Sequence, residues 1–184
     1  RRLVYLVVAT IPAGVGGLLL NDLAKTTFRS PYIIGTTLIV LGLLLWAIDK
    51  WSVRSRSIEE VTLRDAVIVG CAQVLALVPG VSRSGSTITA GRLLKLDRPS
   101  AARFSFLMSM PITIAAVLKE APEALRAEGL SMPLLYGVIA AAVSSWLAIT
   151  VLLRYVSKHS FGIFALYRVL LAGVVFYTLA TRGA

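Results

Sequence analysis

With 57% hydrophobic residues, only 15% charged ones and a mean hydropathy of +0.82, these 184 residues do not make an ordinary soluble domain, where roughly a quarter of residues are charged. The net charge of +10 does not point to nucleic acid either, because the cations cluster in short stretches between apolar runs, as they do in cytoplasmic loops of membrane proteins. A single cysteine, Cys71, and a single histidine, His159, exclude an internal disulfide and a His/Cys metal cluster.

Uncharged stretches cover residues 3–21, 30–48, 66–82, 104–118, 129–153 and 160–181, the last interrupted only by Arg168. Crossing the hydrocarbon core takes about 20 predominantly apolar residues. The sequence therefore predicts membrane spans over about 3–20, 31–48, 104–119, 132–153 and 161–180 of a single membrane domain. The 104–119 run is short, but Arg103 and Lys119 at its ends can snorkel to the two interfaces. Pro12 and Pro111 fall inside predicted helices, which membrane helices tolerate. Trp46, Trp51 and Tyr32 stand near run ends, where amphipathic aromatics anchor. The chain opens on Arg1 and not on methionine, it shows no signal-peptide pattern, and the expectation is a piece of a longer membrane protein.

The third stretch behaves differently. Residues 66–78 would make a helix only about 20 Å long before Pro79-Gly80 breaks it, and a second short helix follows over 84–94. One kinked crossing or a re-entrant hairpin over about 65–95 would satisfy that pattern. A hairpin leaves Arg1, Arg2, Lys50, Arg54, Arg56, Arg64, Arg92, Lys95, Arg98, Arg103, Arg154 and Lys158 on one side. Lys25, Arg29, Lys119, Arg126 and Arg182 then lie on the other. A single crossing divides the same charges almost evenly, so the tendency of Lys and Arg to collect on the cytoplasmic side favours the hairpin.

Irregular backbone at membrane depth survives only against protein or a watery cavity. The hairpin tip, "PGVSRSGST" at 79–87, offers Gly80 and Gly85 for close approach and Ser82, Ser84, Ser86 and Thr87 at the start of a helix. Free N–H groups and the dipole favour an anion there, and Arg83 adds a fork of donors suited to phosphate oxygens. Each hydroxyl alone reads equally well as a cap or an interhelical bond. Arg83 and Arg168, both at membrane depth, are functional candidates by cost. All nine carboxylates lie in loops or at run ends, so the two cations call for an anion from elsewhere. The chain thus offers cations and hydroxyls but no intramembrane base, the gripping half of a site. An anionic-lipid transporter or flippase built on broken helices is the alternative.

"PGVSRSGST" also resembles the PGxSRSxxT signature of the undecaprenyl-diphosphatase, or bacitracin-resistance, family. "GCAQVLALVPGVSRSGSTITAG", "AARFSFLMSMP" and "HSFGIFALYRVLLAG" resemble the second half of its members. The resemblance implies an all-α polytopic membrane bundle with a re-entrant hairpin, part of an inverted-repeat architecture. It implies hydrolysis of undecaprenyl diphosphate to the monophosphate in the bacterial plasma membrane, recycling the cell-wall lipid carrier. It also implies catalytic roles for Ser82, Arg83, Thr87 and Arg168, with Gly80, Ser84, Gly85, Ser86 and Gln73 lining the substrate. Gln73 falls where the family's other repeat has an acidic residue, though an interhelical amide bond reads equally well. A divalent cation (Mg or Ca) would be held by an N-terminal half absent from these residues, with no metal ligands here. The expected partners are a prenyl diphosphate and membrane lipids, with a homodimer left open.

Overall fold

The computed structural model describes residues 2–20, 23, 26–129 and 131–182. Among them, seven α-helices and no strand appear: α1 Arg2–Leu19, α2 Pro31–Trp51, α3 Leu63–Val74, α4 Arg83–Leu93, α5 Arg98–Glu128, α6 Met132–Lys158 and α7 Gly162–Arg182. Four segments are long and apolar enough to cross a bilayer: Pro31–Trp51, Arg98–Glu123, Met132–Lys158 and Gly162–Thr181. α1, with 18 residues, is about 27 Å long, near the lower limit for a crossing. The chain is an all-α integral membrane protein.

α5 is much longer than its uncharged run. Charges end a lipid-facing run but do not end a helix; caps do. The Asp97 carboxylate accepts from Ser100 N at 2.7 Å at the start, and Gly129, with φ +65°, closes the end. Arg103, Lys119 and Pro122 all lie inside.

α3 and α4 form a helical hairpin whose two ends meet. Ser55 N and Arg56 N donate to the Lys95 carbonyl at 3.2 and 3.1 Å, and Asp97 N donates to Arg56 O at 2.8 Å. The Arg56 guanidinium donates to both Asp65 carboxylate oxygens (3.2 and 2.6 Å) near the start of α3 and to Leu94 O (3.0 Å) just after α4. Thr62 caps α3 by accepting from Asp65 N, while Asp65 accepts from Thr62 N, a reciprocal box. The far end reverses through a 3₁₀ turn, Leu75–Leu77, and Pro79-Gly80.

α4 is the axis of the bundle. Residues 86–92 are all buried. Ala90 joins Leu6, Ala9, Ala66, Val69, Phe104 and Met108 in one apolar cluster; Ile88 joins Leu45, Leu96, Ala101, Ala102, Val156 and Phe161 in another. Close backbone approach seats the hairpin: a methyl at Gly70 would strike the Ala9 carbonyl of α1. The buried set includes Ser86, Thr87, Thr89, Arg92, Ser100 and Ser105, while Leu18, Leu118, Tyr136, Trp146 and Tyr177 face outward. Polar groups inside and large apolar ones outside are what a lipid solvent demands.

A further ion cluster holds the base. Arg92, fully buried, donates from Nε to Asp49 Oδ1 at 3.1 Å and also to the carbonyls of Ser52, Val53 and Leu96. Arg98 donates to both Asp49 oxygens (2.8 and 2.7 Å), and Phe161 N to Oδ2 at 3.2 Å. Asp49 thus joins α2, α4, α5 and the entry to α7.

Candidate active site

Two backbone positions shape the hairpin tip. Gly80 adopts φ +87°, with Thr37 Oγ1 and Ile34 O of α2 occupying the space a side chain would need. Ser82 adopts φ +65°, a strained value for a residue with a Cβ. Ser82 then caps α4, its Oγ accepting from Gly85 N at 3.2 Å. Thr37 Oγ1 donates to Pro79 O at 2.9 Å and ties the turn to α2.

The tip sends its polar groups to different sides of the first turn of α4. On one side, Arg83 donates from Nε to Gln73 Oε1 at 2.9 Å and from Nη2 to the Met108 carbonyl at 3.1 Å. Both Arg83 and Gln73 line a cavity of about 270 Å³ between α1, α3 and α5. On the other side, Ser82, Ser84, Gly85 and Arg168 line a cavity of about 280 Å³, walled by apolar residues of α2, α6 and α7. Arg168 donates from Nε to Leu38 O at 3.3 Å, and from Nη2 to Gly80 O and Val81 O at 2.6 and 3.0 Å. Gly85 keeps that side open, because a methyl there would come within 2.9 Å of Arg168 Nη1.

The expected residues therefore divide into two groups. Arg83 and Gln73 share one cavity; Ser82, Ser84, Gly85 and Arg168 share the other. Ser86 and Thr87 are buried with their hydroxyls already engaged. Ser86 Oγ donates to Arg83 O at 2.9 Å. Thr87 Oγ1 lies 2.9 Å from the same carbonyl and 2.7 Å from Ser105 Oγ. These bonds fix the carbonyl of Arg83, and with it the direction of that residue's backbone. Gly80 contributes its carbonyl to Arg168.

Neither Arg83 nor Arg168 meets a carboxylate among the described residues; their partners are an amide oxygen and carbonyls. A guanidinium in such a setting keeps its charge and retains donors for a ligand. No group of three His, Cys, Asp or Glu side chains converges among the described residues. The described residues alone do not make a site for a resident metal ion. Sequence reasoning missed the Met108 carbonyl and Ser105, which no sequence pattern announces. It also missed the Asp49–Arg92 pair, for which there was a signal: Arg92 precedes Leu93-Leu94 and so still lies inside the apolar arm.

Long apolar helices around a broken helix pair, with hydroxyls and arginines at its tip, define a polytopic all-α membrane protein. The chain belongs to the family described as bacitracin resistance protein BacA, which matches residues 1–174. It is 75% identical over 182 residues to an undecaprenyl-diphosphatase of Gemmatimonas aurantiaca, covering 99% of this chain and 68% of that protein. Undecaprenyl-diphosphatases of Moorella thermoacetica (46%, covering 93% and 65%) and Nocardioides sp. (42%, covering 96% and 65%) are also similar. The chain spans about two thirds of the length of these relatives. Their names are those of hydrolases, and nothing in them favours the transporter alternative.

Proposed function

We propose that this chain carries the diphosphate-gripping half of an undecaprenyl-diphosphatase. Water would attack the terminal phosphorus of undecaprenyl diphosphate, the anhydride P–O bond would break, and undecaprenyl phosphate and inorganic phosphate would leave. Such a reaction recycles the lipid carrier of the bacterial cell wall in the inner membrane and opposes bacitracin. The observation that carries this reading is Arg83, held by Gln73 Oε1 and Met108 O at the start of α4 with no carboxylate among the described residues to neutralise it. A fixed guanidinium beside helix N–H groups favours charge on a phosphoryl group as the anhydride bond breaks. Arg168, with Ser82 and Ser84, would act on the same headgroup from the other side of the turn.

The hairpin would be re-entrant, entering and leaving by one face, which its joined ends at Arg56 and Lys95 support. The proton acceptor and the ligands of a divalent cation, Mg or Ca, would come from the length of the relatives that this chain does not span. A homodimer is a further arrangement that the exposed apolar helices permit. The test is phosphate release from undecaprenyl diphosphate by the intact protein and by Arg83→Ala. Loss of about 100-fold or more in kcat/KM is expected; unchanged turnover would remove Arg83 from the reaction.

A further inference from the structure

Three residues line two spaces at once. Leu152 of α6 and Phe164 and Tyr167 of α7 wall the Arg168 cavity of about 280 Å³ and also an apolar cleft of about 680 Å³ between the same two helices. The rest of the cleft is Leu147, Ala148, Val151 and Tyr155 of α6 and Ile163 of α7. Leu147, Val151, Ile163 and Tyr167 are exposed, so the cleft opens sideways, toward hydrocarbon when the helices span a bilayer. Although only residues 159–161 join α6 to α7, none of the apolar window of α6 is buried. The two spaces adjoin at Leu152, Phe164 and Tyr167, with Arg168, Ser82 and Ser84 at the inner end and only apolar and aromatic side chains at the outer one. The inner end is deep: Arg168 stands six residues into α7, about 9 Å along it.

We propose that this cleft carries the prenyl tail of the lipid whose headgroup meets Arg168, with Leu152, Phe164 and Tyr167 as the threshold between head and tail. The proposal rests on the diphosphatase reading for the identity of that headgroup. The inner cavity lies at the lower limit of ordinary ligand pockets, so it takes a headgroup and not a long chain. A tail joined to a head at Arg168 must therefore leave the cavity. α2, which packs against both α4 and α7, stands as the opposite wall, and the way past Phe164 and Tyr167 leads into the cleft. A phospholipid of the bilayer suits this passage poorly, because its headgroup stays at the membrane surface while the polar end lies at depth. Apolar burial supplies no pull here, since lipid is as apolar as leucine. The cleft acts by shape: the diphosphate reaches Arg168 while its tail stays in an apolar channel.

The experiment uses the intact protein in detergent. A prenyl diphosphate carrying a diazirine on its tail is irradiated with the parent, and the labelled peptides are mapped. Label is expected within residues 147–155 and 163–167, and excess inorganic pyrophosphate is expected to remove it, because head and tail bind together. Label confined to other helices would overturn the proposal, as would cleft label that pyrophosphate leaves in place, the result of an ordinary membrane lipid. That measurement needs no variant to fold. Ala148→Trp then plugs the cleft, and Ala142→Trp, on the opposite face of α6 at 3.6 residues per turn, is its control. The ratio of kcat/KM for undecaprenyl diphosphate to that for farnesyl diphosphate is expected to fall about tenfold or more in Ala148→Trp alone, the scale of an overpacked contact. An unchanged ratio would overturn the proposal, and so would an equal loss on both substrates, which a cleft filled by another part of the protein would give. A prenyl diphosphate that labels the cleft under pyrophosphate competition but releases no phosphate would sink the phosphatase reading alone and leave the cleft assigned.

Discussion

Asp49 and Arg92, 43 residues apart, meet at 3.1 Å with their side chains 2% and 0% exposed. Arg98 completes the site from the start of α5, its side chain 11% exposed. Buried pairs of this kind contribute little when both partners are replaced together by well-packed apolar residues, but breaking one from a single side is expensive. Arg92→Ala would leave the carbonyls of Ser52, Val53 and Leu96 without their donor, as well as weakening Asp49. Its expected cost is about 3–5 kcal/mol. Arg98→Ala leaves Asp49 with Arg92 and Phe161 N and should cost less. Thermal unfolding in detergent checks the order, which must run Arg92→Ala, then Arg98→Ala, then the parent in rising Tm.

The second ion pair, at the hairpin base outside the four long spans, gives a pH dependence. Burial acts to raise the Asp65 pKa, but the Arg56 hydrogen bonds, the Thr62 N–H and hydroxyl, and the Arg56 charge together hold it below its ordinary value. A lowered folded pKa means stability that is fully present above the unfolded value of about 3.9. That stability is lost as pH falls through the folded one. The parent should therefore hold its Tm down to about pH 5 and then lose it more steeply than Asp65→Asn. The variant starts lower at pH 7. Parallel Tm–pH curves for the two would remove the Asp65–Arg56 pair from the account.

That the chain is a set of apolar helices was legible from run length, though the full extent of α5 was not, and the break at Pro79-Gly80 was legible because it interrupts an apolar stretch too short to cross. Which side chains share a cavity was not. Arg83 and Arg168 read in sequence as one cradle, yet the first turn of α4 turns Arg83 toward α3 and α5 while Arg168 approaches from α7. Placement around a helix end depends on the unusual backbone at Gly80 and Ser82, and neither a tripeptide nor a charge count encodes that. Asp49 shows the same limit: a carboxylate one residue past the end of an apolar run reads as a loop charge, until the helix continues through it and its neighbours bring two arginines.

Gly80 offers a test of that backbone. Gly80→Ala meets two obstacles: a left-handed φ of +87° and a space filled by Thr37 Oγ1 and Ile34 O. Gly129→Ala meets only the first, since nothing lies within 4 Å of its missing Cβ. A positive-φ conformation that side chains rarely adopt costs about 1–3 kcal/mol, so Gly129→Ala should lose about that much. Gly80→Ala should lose clearly more and should also disturb the tip, lowering phosphate release. Equal Tm losses for the two would mean that the packing of Gly80 against α2 is unimportant.

Arg83 and Arg168 differ in how much of each guanidinium is committed to the fold, and that difference separates stability from activity. Arg83 gives one bond to a side chain and one to a carbonyl, whereas Arg168 gives three to carbonyls of α2 and the hairpin tip. A cation taken out of water without an anion costs stability, and replacing it by an apolar side chain of similar length recovers that cost unless carbonyls are stranded. Arg83→Met removes the donor of one carbonyl and one amide oxygen, against three carbonyls for Arg168, so it should lower Tm only slightly while cutting kcat/KM at least about 100-fold. Arg168→Met should lower Tm and activity together, because the Gly80 and Val81 carbonyls lose their donor and the tip loosens from α2. Measuring Tm and turnover on the two variants in the intact protein decides between these outcomes. A fall in Tm for Arg83→Met as large as that for Arg168→Met would show that Arg83 is held for packing rather than for an anion.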